Sequence, residues 1–310
     1  MINDQNRLEP TANEQYFIEL VNRARLNPIE EADLYNISLN ENLDAGSIST
    51  EPKQPLAFNP LLLEAARNHS QWMLDTNTFG HTGIDDSEPW ERAEDAGYPS
   101  SLVGENIAWR GTTGNVNNLT SFVEQLHQGL FLSAGHRLNL MKPEYQELGV
   151  GVVTGEFTND GNDFNTVMVS QEFGTDFNND NFFITGIVYD DIDESNFYQP
   201  GEGLGEITIE ATNSDNDFSV ATTTMSAGGY QLEVPSGDYE VKFSGNELDT
   251  PTTKSVTVED RNVKLDVAIN PQDDPGLTPD LSYDITGDGE LQSGFDGALI
   301  SRYLLGLEGD

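Results

Sequence analysis

The apolar period of this chain changes once, near Tyr145, from the 3.6-residue recurrence of amphipathic helices to the two-residue alternation of strands. Before that point Phe17, Leu20, Val21 and Ala24 recur at helical spacing, with Asn13 as the expected N-cap and Pro28 past the end. A second helix is announced by Asn59 and Pro60, a cap followed by proline at the first helical position, with Leu62, Ala65, Ala66, His69 and Met73 on one face. His69 is therefore assigned to the core. Further helices are predicted over residues 87–97 and 118–132, and Ser133 is expected to cap a short helix over 134–141. Beyond Tyr145, residues 148–152 and 165–173 alternate like paired strands. Helices closed by strands predict an α+β fold, with a first unit over residues 1–175.

After a polar hinge at 176–181, short alternating segments at 184–189, 206–212, 230–234, 239–243 and 263–269 are separated by Gly, Pro, Asn and Asp, the rhythm of a small β-sandwich over 182–270. Residues 271–282 are too rich in proline and acid to pack and read as a linker. The segment 283–310 joins an acidic loop to a helix carrying Leu299, Ile300, Tyr303 and Leu304.

Charge excludes whole classes of partner. With 54 acidic against 14 basic side chains, a formal net charge of -40, the chain is repelled by nucleic acid and by anionic membrane surfaces. It has no cysteine, so disulfides and thiolate metal sites play no part. No apolar run approaches the ~18 residues of a transmembrane segment, and the first residues do not read as a secretory signal.

Some of the acid is spaced for Ca²⁺. Asp191, Asp193 and Ser195 stand at places one, three and five of an EF-hand-like loop, Phe197 offers a carbonyl at seven and Glu202 a carboxylate at twelve. Asn196 takes the place of the usual glycine, and asparagine tolerates the left-handed conformation required there. A second loop begins with Asp284, Thr286, Asp288 and Glu290, but place twelve is Phe295 and the carboxylate, Asp296, comes one residue late. Clustered carboxylates that need Ca²⁺ to be firm point to an extracellular or cell-surface setting, where calcium is millimolar.

All four histidines fall between His69 and His136. His81 follows Phe79-Gly80, Glu105 sits in Gly104-Glu105-Asn106-Ile107-Ala108, and His136 in Ser133-Ala134-Gly135-His136-Arg137-Leu138-Asn139. Together with Asn22-Arg23-Ala24-Arg25, His69-Ser70-Gln71-Trp72-Met73 and Glu147-Leu148-Gly149-Val150-Gly151, these motifs resemble the bacterial CAP (SCP-like) family over residues 12–174. The resemblance implies an α-β-α sandwich with a cleft lined by two histidines and two glutamates. His81, Glu105 and His136 carry over, while the fourth corner has no counterpart at the usual offset and falls to Glu124 or His127. The middle unit looks like a carboxypeptidase-regulatory or B-type sandwich module, and the C-terminal loop and helix resemble half of a dockerin-like repeat, which would pair with a second repeat or a cohesin-like partner.

Two imidazoles and a carboxylate with an open position suit Zn²⁺ or another divalent cation. The same groups can serve as a general base with a bound water. The expectation is a CAP protein that acts by binding a metal, a lipid-like ligand or a protein surface. The alternative is a calcium-dependent hydrolase or peptidase in which His81, Glu105 and His136 activate water. No His-Glu-x-x-His or Gly-x-Ser-x-Gly motif supports hydrolysis.

Overall fold

In the computed structural model, residues 8–99, 102–245, 248 and 250–269 are described. The first helix, α1 (Ala12–Leu26), starts two residues earlier than a cap at Asn13 predicts. Its cap is Thr11, not Asn13: the Thr11 N–H donates to Glu14 Oε2 at 2.8 Å and the Glu14 N–H to Thr11 Oγ1 at 3.3 Å, a reciprocal capping box. Thr-x-x-Glu satisfies two orphan donors where Asn13 would satisfy one, and Asn13 Oδ1 instead accepts from the Thr120 hydroxyl. Next comes α2 (Pro28–Leu34), then the short β1 (Ala57–Phe58).

Helix α3 (Pro60–Asp75) begins as its sequence predicts, with Asn59 Oδ1 accepting from the Leu61 and Leu62 N–H groups. Helix α4 (Pro89–Asp95) is shorter than the predicted 87–97 segment because Pro89 fixes its first turn and Gly97 leaves it in the left-handed region (φ +94°). Strand β2 (Leu102–Thr112) carries the Gly104–Ala108 motif. It is followed by α5 (Leu119–Leu132), capped by Asn118, and α6 (Ala134–Leu140). Ser133 occupies the N-cap position of α6, but its hydroxyl makes no capping bond. Ser133 also closes α5, its N–H donating to Gly129 O and its carbonyl accepting from Arg137 N, so backbone groups join the two helices.

Strands β3 (Glu147–Asn159) and β4 (Asn162–Thr175) complete a sheet in the order β1-β3-β4-β2, antiparallel except for β1 on β3. Strand β3 shows why helices cover both faces. Val150 joins Leu148, Phe17, Val21 and Leu126 in the main apolar core with α1 and α5. On the opposite face Gly149 and Gly151 let α3 lie directly on the strand: a Cβ on Gly149 would sit 2.1 Å from the Leu62 carbonyl carbon and Leu63 nitrogen.

The remaining strands are β5 (Phe182–Asp190), β6 (Thr208–Asn213), β7 (Ser219–Thr223), β8 (Gly229–Val234), β9 (Gly237–Ser244), β10 (Thr252–Val258), β11 (Val263–Lys264) and β12 (Val267–Ile269). One sheet runs β10-β9-β6-β7; the other is built on β5, antiparallel to β8 and parallel to β11 and β12. Ile184, Ile209, Leu232, Val241 and Phe243 fill the space between them. Strands β7 and β10 were not among the predicted segments; their burial patterns are largely exposed, so they lack the apolar alternation that marks the others.

Up to Ile269 the fold is one compact unit. Ile187, Tyr189 and Tyr198 of the sandwich enter the same apolar cluster as Phe17 and Leu20, and Lys264 Nζ reaches Glu19 of α1 at 2.8 Å. The predicted linker 271–282 and the C-terminal loop with Asp284, Thr286, Asp288, Glu290 and Asp296 lie outside the described residues.

Candidate functional site

Glu105 is held by His81, Arg92 and His69. It points from β2 into the protein with its side chain 1% exposed. His81, on the loop after α3, places Nδ1 2.7 Å from Glu105 Oε1. A carboxylate only accepts, so Nδ1 carries the proton and Nε2 of this half-exposed ring is left for a ligand. The hydrogen bond to Glu105 raises the His81 pKa against the opposing effect of burial.

His136 arrives from α6. Asn106 Nδ2 donates to the His136 carbonyl at 3.2 Å, and Asn139 Nδ2 donates to Glu105 O and Asn106 Oδ1. The two asparagines thus tie α6 to β2 beside the first imidazole. Burial, and next the charge of His81, push the His136 pKa down. Its Nδ1 is buried without a hydrogen-bond partner.

Three further groups complete the site, and none was identified as a site residue from the sequence. Arg92 of α4 donates Nη2 to Glu105 Oε2 at 2.7 Å while Nη1 donates to the His81 and Ser87 carbonyls, so one guanidinium fastens the His81 loop to the carboxylate. Glu172 stands opposite Glu105 on β4, fully buried, with Arg92 Nη2 3.7 Å away. Burial, and next the neighbouring Glu105 charge, push its pKa well up, and both of its oxygens are buried without a hydrogen-bond partner. His69 also departs from its expected role as plain core. Its ring is buried, but Nε2 donates to Gly80 O at 3.0 Å and lies 3.5 Å from Glu105 Oε2.

Burial alone would raise the Glu105 pKa; the hydrogen bond from His81, with His69 and Arg92, brings it below the ordinary range. Both of its oxygens are committed to donors. Among the described residues, the only set of three His or carboxylate donors within 4.8 Å of one another lies elsewhere, so His81, Glu105 and His136 do not form a three-ligand metal set. Glu105 orients the His81 ring from behind, and α6, which carries His136, is tied to β2 through Asn106 and Asn139.

The candidates for a fourth corner do not join it. Glu124 Oε1 accepts the Tyr16 hydroxyl at 2.9 Å. His127 is buried against Phe17, Tyr35 and Phe131, its Nε2 2.8 Å from Glu31 Oε1. Both sit on α5, yet each is held by a partner on the α1–α2 side rather than by β2. A signal for the true neighbours existed. In β4, Met168, Ser170 and Glu172 share one strand face, and a carboxylate at a fully buried position of such a strand requires a partner.

Among the described residues, the single acidic set within 4.8 Å is Asp191, Asp193 and Glu202. Asp191 and Glu202 are buried, while Asp193 is exposed. Asn196, in the left-handed region at φ 57°, donates its N–H to Asp191, and Gln199 N donates to Glu202 Oε2 at 2.7 Å. Ser195 Oγ, a predicted donor to calcium, donates to the carbonyl of Phe197, another predicted ligand, at 2.8 Å.

Residues 18–173 match the family described as Cysteine-rich secretory protein family (CAP), and residues 197–270 match the Carboxypeptidase regulatory-like domain. Over 100 residues the chain is 31% identical to the uncharacterized protein YkwD of Bacillus subtilis (strain 168), covering 32% of this chain and 35% of that protein. The chain therefore spans about a third of the length of that relative. A solved extracellular protein containing a SCP domain, from Bacillus anthracis str. Ames, is 23% identical over 53% of this chain and 40% of its own, with a TM-score of 0.35. An outer surface protein from Borrelia burgdorferi is 16% identical over 47% and 92%, with a TM-score of 0.28. No helix among the described residues is long and apolar enough to cross a membrane.

Proposed function

This chain belongs to the CAP family, and on that premise we propose that it is an extracellular or cell-surface protein that acts by binding, with the His81–His136 cleft as the seat of a divalent cation or a polar ligand group. The observation that carries the reading is the commitment of both Glu105 oxygens, one to His81 Nδ1 and one to Arg92 Nη2, each at 2.7 Å. A carboxylate behind an imidazole fixes its tautomer and raises its basicity as a ligand. The orphaned His136 Nδ1 shows that a second imidazole nitrogen lacks a protein partner.

Two nitrogens suit a cation such as Zn²⁺ only with water or a ligand filling the other positions, one fewer protein ligand than catalytic zinc commonly has. The cation would supply Lewis acidity and a docking charge; His81 and His136 would hold it, and Arg92 would keep Glu105 in place. Arg92 also sets a limit, since its positive charge beside the cleft weakens cation affinity. Zinc titration by calorimetry is the test: saturable binding in the wild type, lost in His81→Ala and in His136→Ala, supports the cleft. Equal affinity in all three sinks it. The hydrolase reading draws on the same His81–Glu105 pair, and cleavage of an unbiased peptide library by wild type but not by His81→Ala would favour it.

The accessory reading is calcium in the loop 191–202. It is supported by three carboxylates within 4.8 Å of one another at EF-hand places one, three and twelve. Phe197 of that loop packs edge-on against Tyr16, with the Arg23 guanidinium over its ring. A cation there would firm the seam between the sandwich and α1.

A further inference from the structure

The ammonium of Lys264, at the end of β11, lies between two carboxylates where the sandwich meets α1. Its Nζ is 2.8 Å from Glu19 Oε2 and also donates to Asp266 Oδ1. The side chains of Lys264 and Glu19 are 11% and 4% exposed, while that of Asp266 is 40% exposed. Tyr189, Tyr198 and Tyr230 are buried around the group, and burial, then the nearby carboxylates, raises their phenol pKa values. Gln15, one turn earlier on α1, donates Nε2 to Glu19 Oε1 at 2.8 Å, and the Ile187 N–H holds Asp266 Oδ1 at 3.0 Å. A Cβ on Gly229 would sit 2.2 Å from Gln15 Oε1, so this glycine lets α1 close onto β8. The two oxygens of Glu19 thus have different neighbours, an amide donor on Oε1 and an amine on Oε2.

These are the parts of an amide-forming site: a nucleophilic nitrogen, a carboxyl whose carbonyl oxygen is polarised, and a second carboxylate to move protons. We propose that Lys264 and Glu19 join in an intramolecular isopeptide bond, with Asp266 as the proton carrier. Lys264 Nζ first gives a proton to Glu19 Oε2. The neutral amine attacks Glu19 Cδ, and the Nζ–Cδ bond forms while the Gln15 Nε2–H steadies the charge on Oε1. Asp266 takes a second proton from Nζ and returns it to Oε2 as the Cδ–Oε2 bond breaks. One water leaves, the amide keeps a single N–H, and Asp266 ends as the carboxylate it began. Nothing is oxidised or reduced.

In open water an ammonium and a carboxylate remain solvated ions rather than condense. Here burial removes that solvation and raises the Glu19 pKa against the Lys264 charge, which eases the first proton transfer. Burial also opposes the Lys264 charge, but Asp266 and then Glu19 outweigh it, so the resting group is an ion pair and the reaction is slow. Held as neighbours, two such groups react as though at effective concentrations of about 10⁵–10⁸ M. A hollow of about 150 Å³ lined by Glu19, Lys264 and Asp266 gives the departing water a place. The bond ties α1 to the sandwich covalently in a chain that has no cysteine for a disulfide. The inference goes beyond the cleft reading and does not depend on it.

Mass spectrometry of the full chain is the test, with cooperative urea unfolding used to show that each protein is folded before its mass is read. Incubated at neutral pH until its mass is steady, the wild type should be lighter than its sequence by one water. Trypsin should release Leu8–Arg23 joined to Asn262–Arg302, since an acylated Lys264 is not cleaved. Lys264→Arg keeps the charge without the amine and should have the full sequence mass. Asp266→Asn should stay largely unreacted over the same time, and condensation as fast as in the wild type would remove Asp266 from its role. A folded wild type with the full sequence mass overturns the proposal and leaves only an ion pair. So does a lost water that persists in Lys264→Arg, the mark of cyclisation at an Asp-Gly step elsewhere. A 262–302 fragment that carries the loss without Leu8–Arg23 attached also overturns it, because the bond is then on the sandwich side alone. The joined fragment is read in the wild type, so a Lys264→Arg protein that fails to fold leaves the decision intact. Zinc binding at His81 and His136 is measured separately, so the two proposals fail independently.

Discussion

Replacing Glu105 by glutamine keeps the shape of the side chain and deletes the charge that faces His81, His69 and Arg92. Arg92 is 8% exposed and loses the charged end of its tie between the His81 loop and β2, where Nη2 donates to Glu105 Oε2 and Nη1 to the His81 carbonyl. Breaking one side of a buried pair costs about 3–5 kcal/mol, and because glutamine retains one acceptor oxygen the lower end, about 3 kcal/mol, is expected at neutral pH. The His81 share of this is small, below about 1 kcal/mol, since that side chain is 53% exposed and screened by water. The loss should depend on pH in a definite way. Glu105 titrates below its ordinary value when folded, so its contribution is present above about pH 4.5 and fades as pH falls through the folded pKa. His81 titrates above its ordinary value, so its contribution is full below about pH 6.5 and fades as pH rises through the folded pKa. Urea unfolding of wild type and Glu105→Gln from pH 3 to 9 should therefore show a gap that shrinks in acid, is widest between about pH 4.5 and 6.5 and narrows slightly as pH rises further, where Arg92 keeps its charge. Zinc affinity at the cleft should fall about 10–100-fold, the usual effect of losing an orienting carboxylate. A stability gap that is the same at every pH would refute the ion-pair reasoning, and abolished zinc binding in a folded protein would mean that Glu105 is a direct ligand.

Three other outcomes are expected. Glu31→Gln should remove acid-sensitive stability: burial opposes ionisation, but bonds from Arg23 and His127 at 2.8 Å bring the Glu31 pKa from 4.5 to about 2, so about 3 kcal/mol is present above pH 4.5 and lost as pH falls toward 2. Urea midpoints at pH 7 and pH 3 check it, and equal wild-type stability at both would contradict it. Gly149→Ala should cost at least the ~1–3 kcal/mol of an overpacked site, because the new methyl meets α3 backbone 2.1 Å away, whereas Gly135→Ala in α6, with nothing within 4 Å, should be neutral or stabilising. Calcium at about 100 times its Kd should add about 2.7 kcal/mol, a rise in Tm of about 5–10 °C, that is absent in Asp191→Asn with Glu202→Gln; a Tm indifferent to calcium in the wild type would end the loop-cation reading.

The parts of this fold that the sequence discloses are those set by neighbours along the chain. Asn59-Pro60 marks the start of α3 because cap and first turn are local, and alternation marks β3 and β4 because each strand has its own buried face. His81 and Glu105 were legible only through several motifs read together. Arg92 and Glu172 were hidden, since their importance comes from strand register and from a helix that packs 13 residues before the carboxylate it holds. The same limit misplaced the fourth corner. Glu124 and His127 share a helix that does reach β2, but their side chains are held by Tyr16 of α1 and Glu31 of α2, and nothing in helical spacing shows which layer a helix face will meet. The cap at Thr11 was a local signal of the same kind as Asn59, and the nearer asparagine obscured it.

Scarcity of positive charge explains where the chain can interact. Of its 14 basic side chains, Arg25, Lys53, Arg92 and Arg137 are buried, and Lys264 is nearly so. Arg25 donates to the carbonyls of Gln54, Leu140, Lys142 and Tyr145, and Arg137 to those of Leu39, Phe131, Leu132 and Glu41. These guanidiniums tie loop and helix-end carbonyls that would otherwise be buried without donors. Consumed inside, they cannot offset the surface, so the outward field is more negative than composition alone implies. Such a field disfavours anions and concentrates cations where carboxylates crowd, among the described residues at Asp191, Asp193 and Glu202. Arg92 is the exception beside His81, its guanidinium on Glu105 and on the His81 carbonyl. A fixed positive charge there works against any cation that His81 would hold.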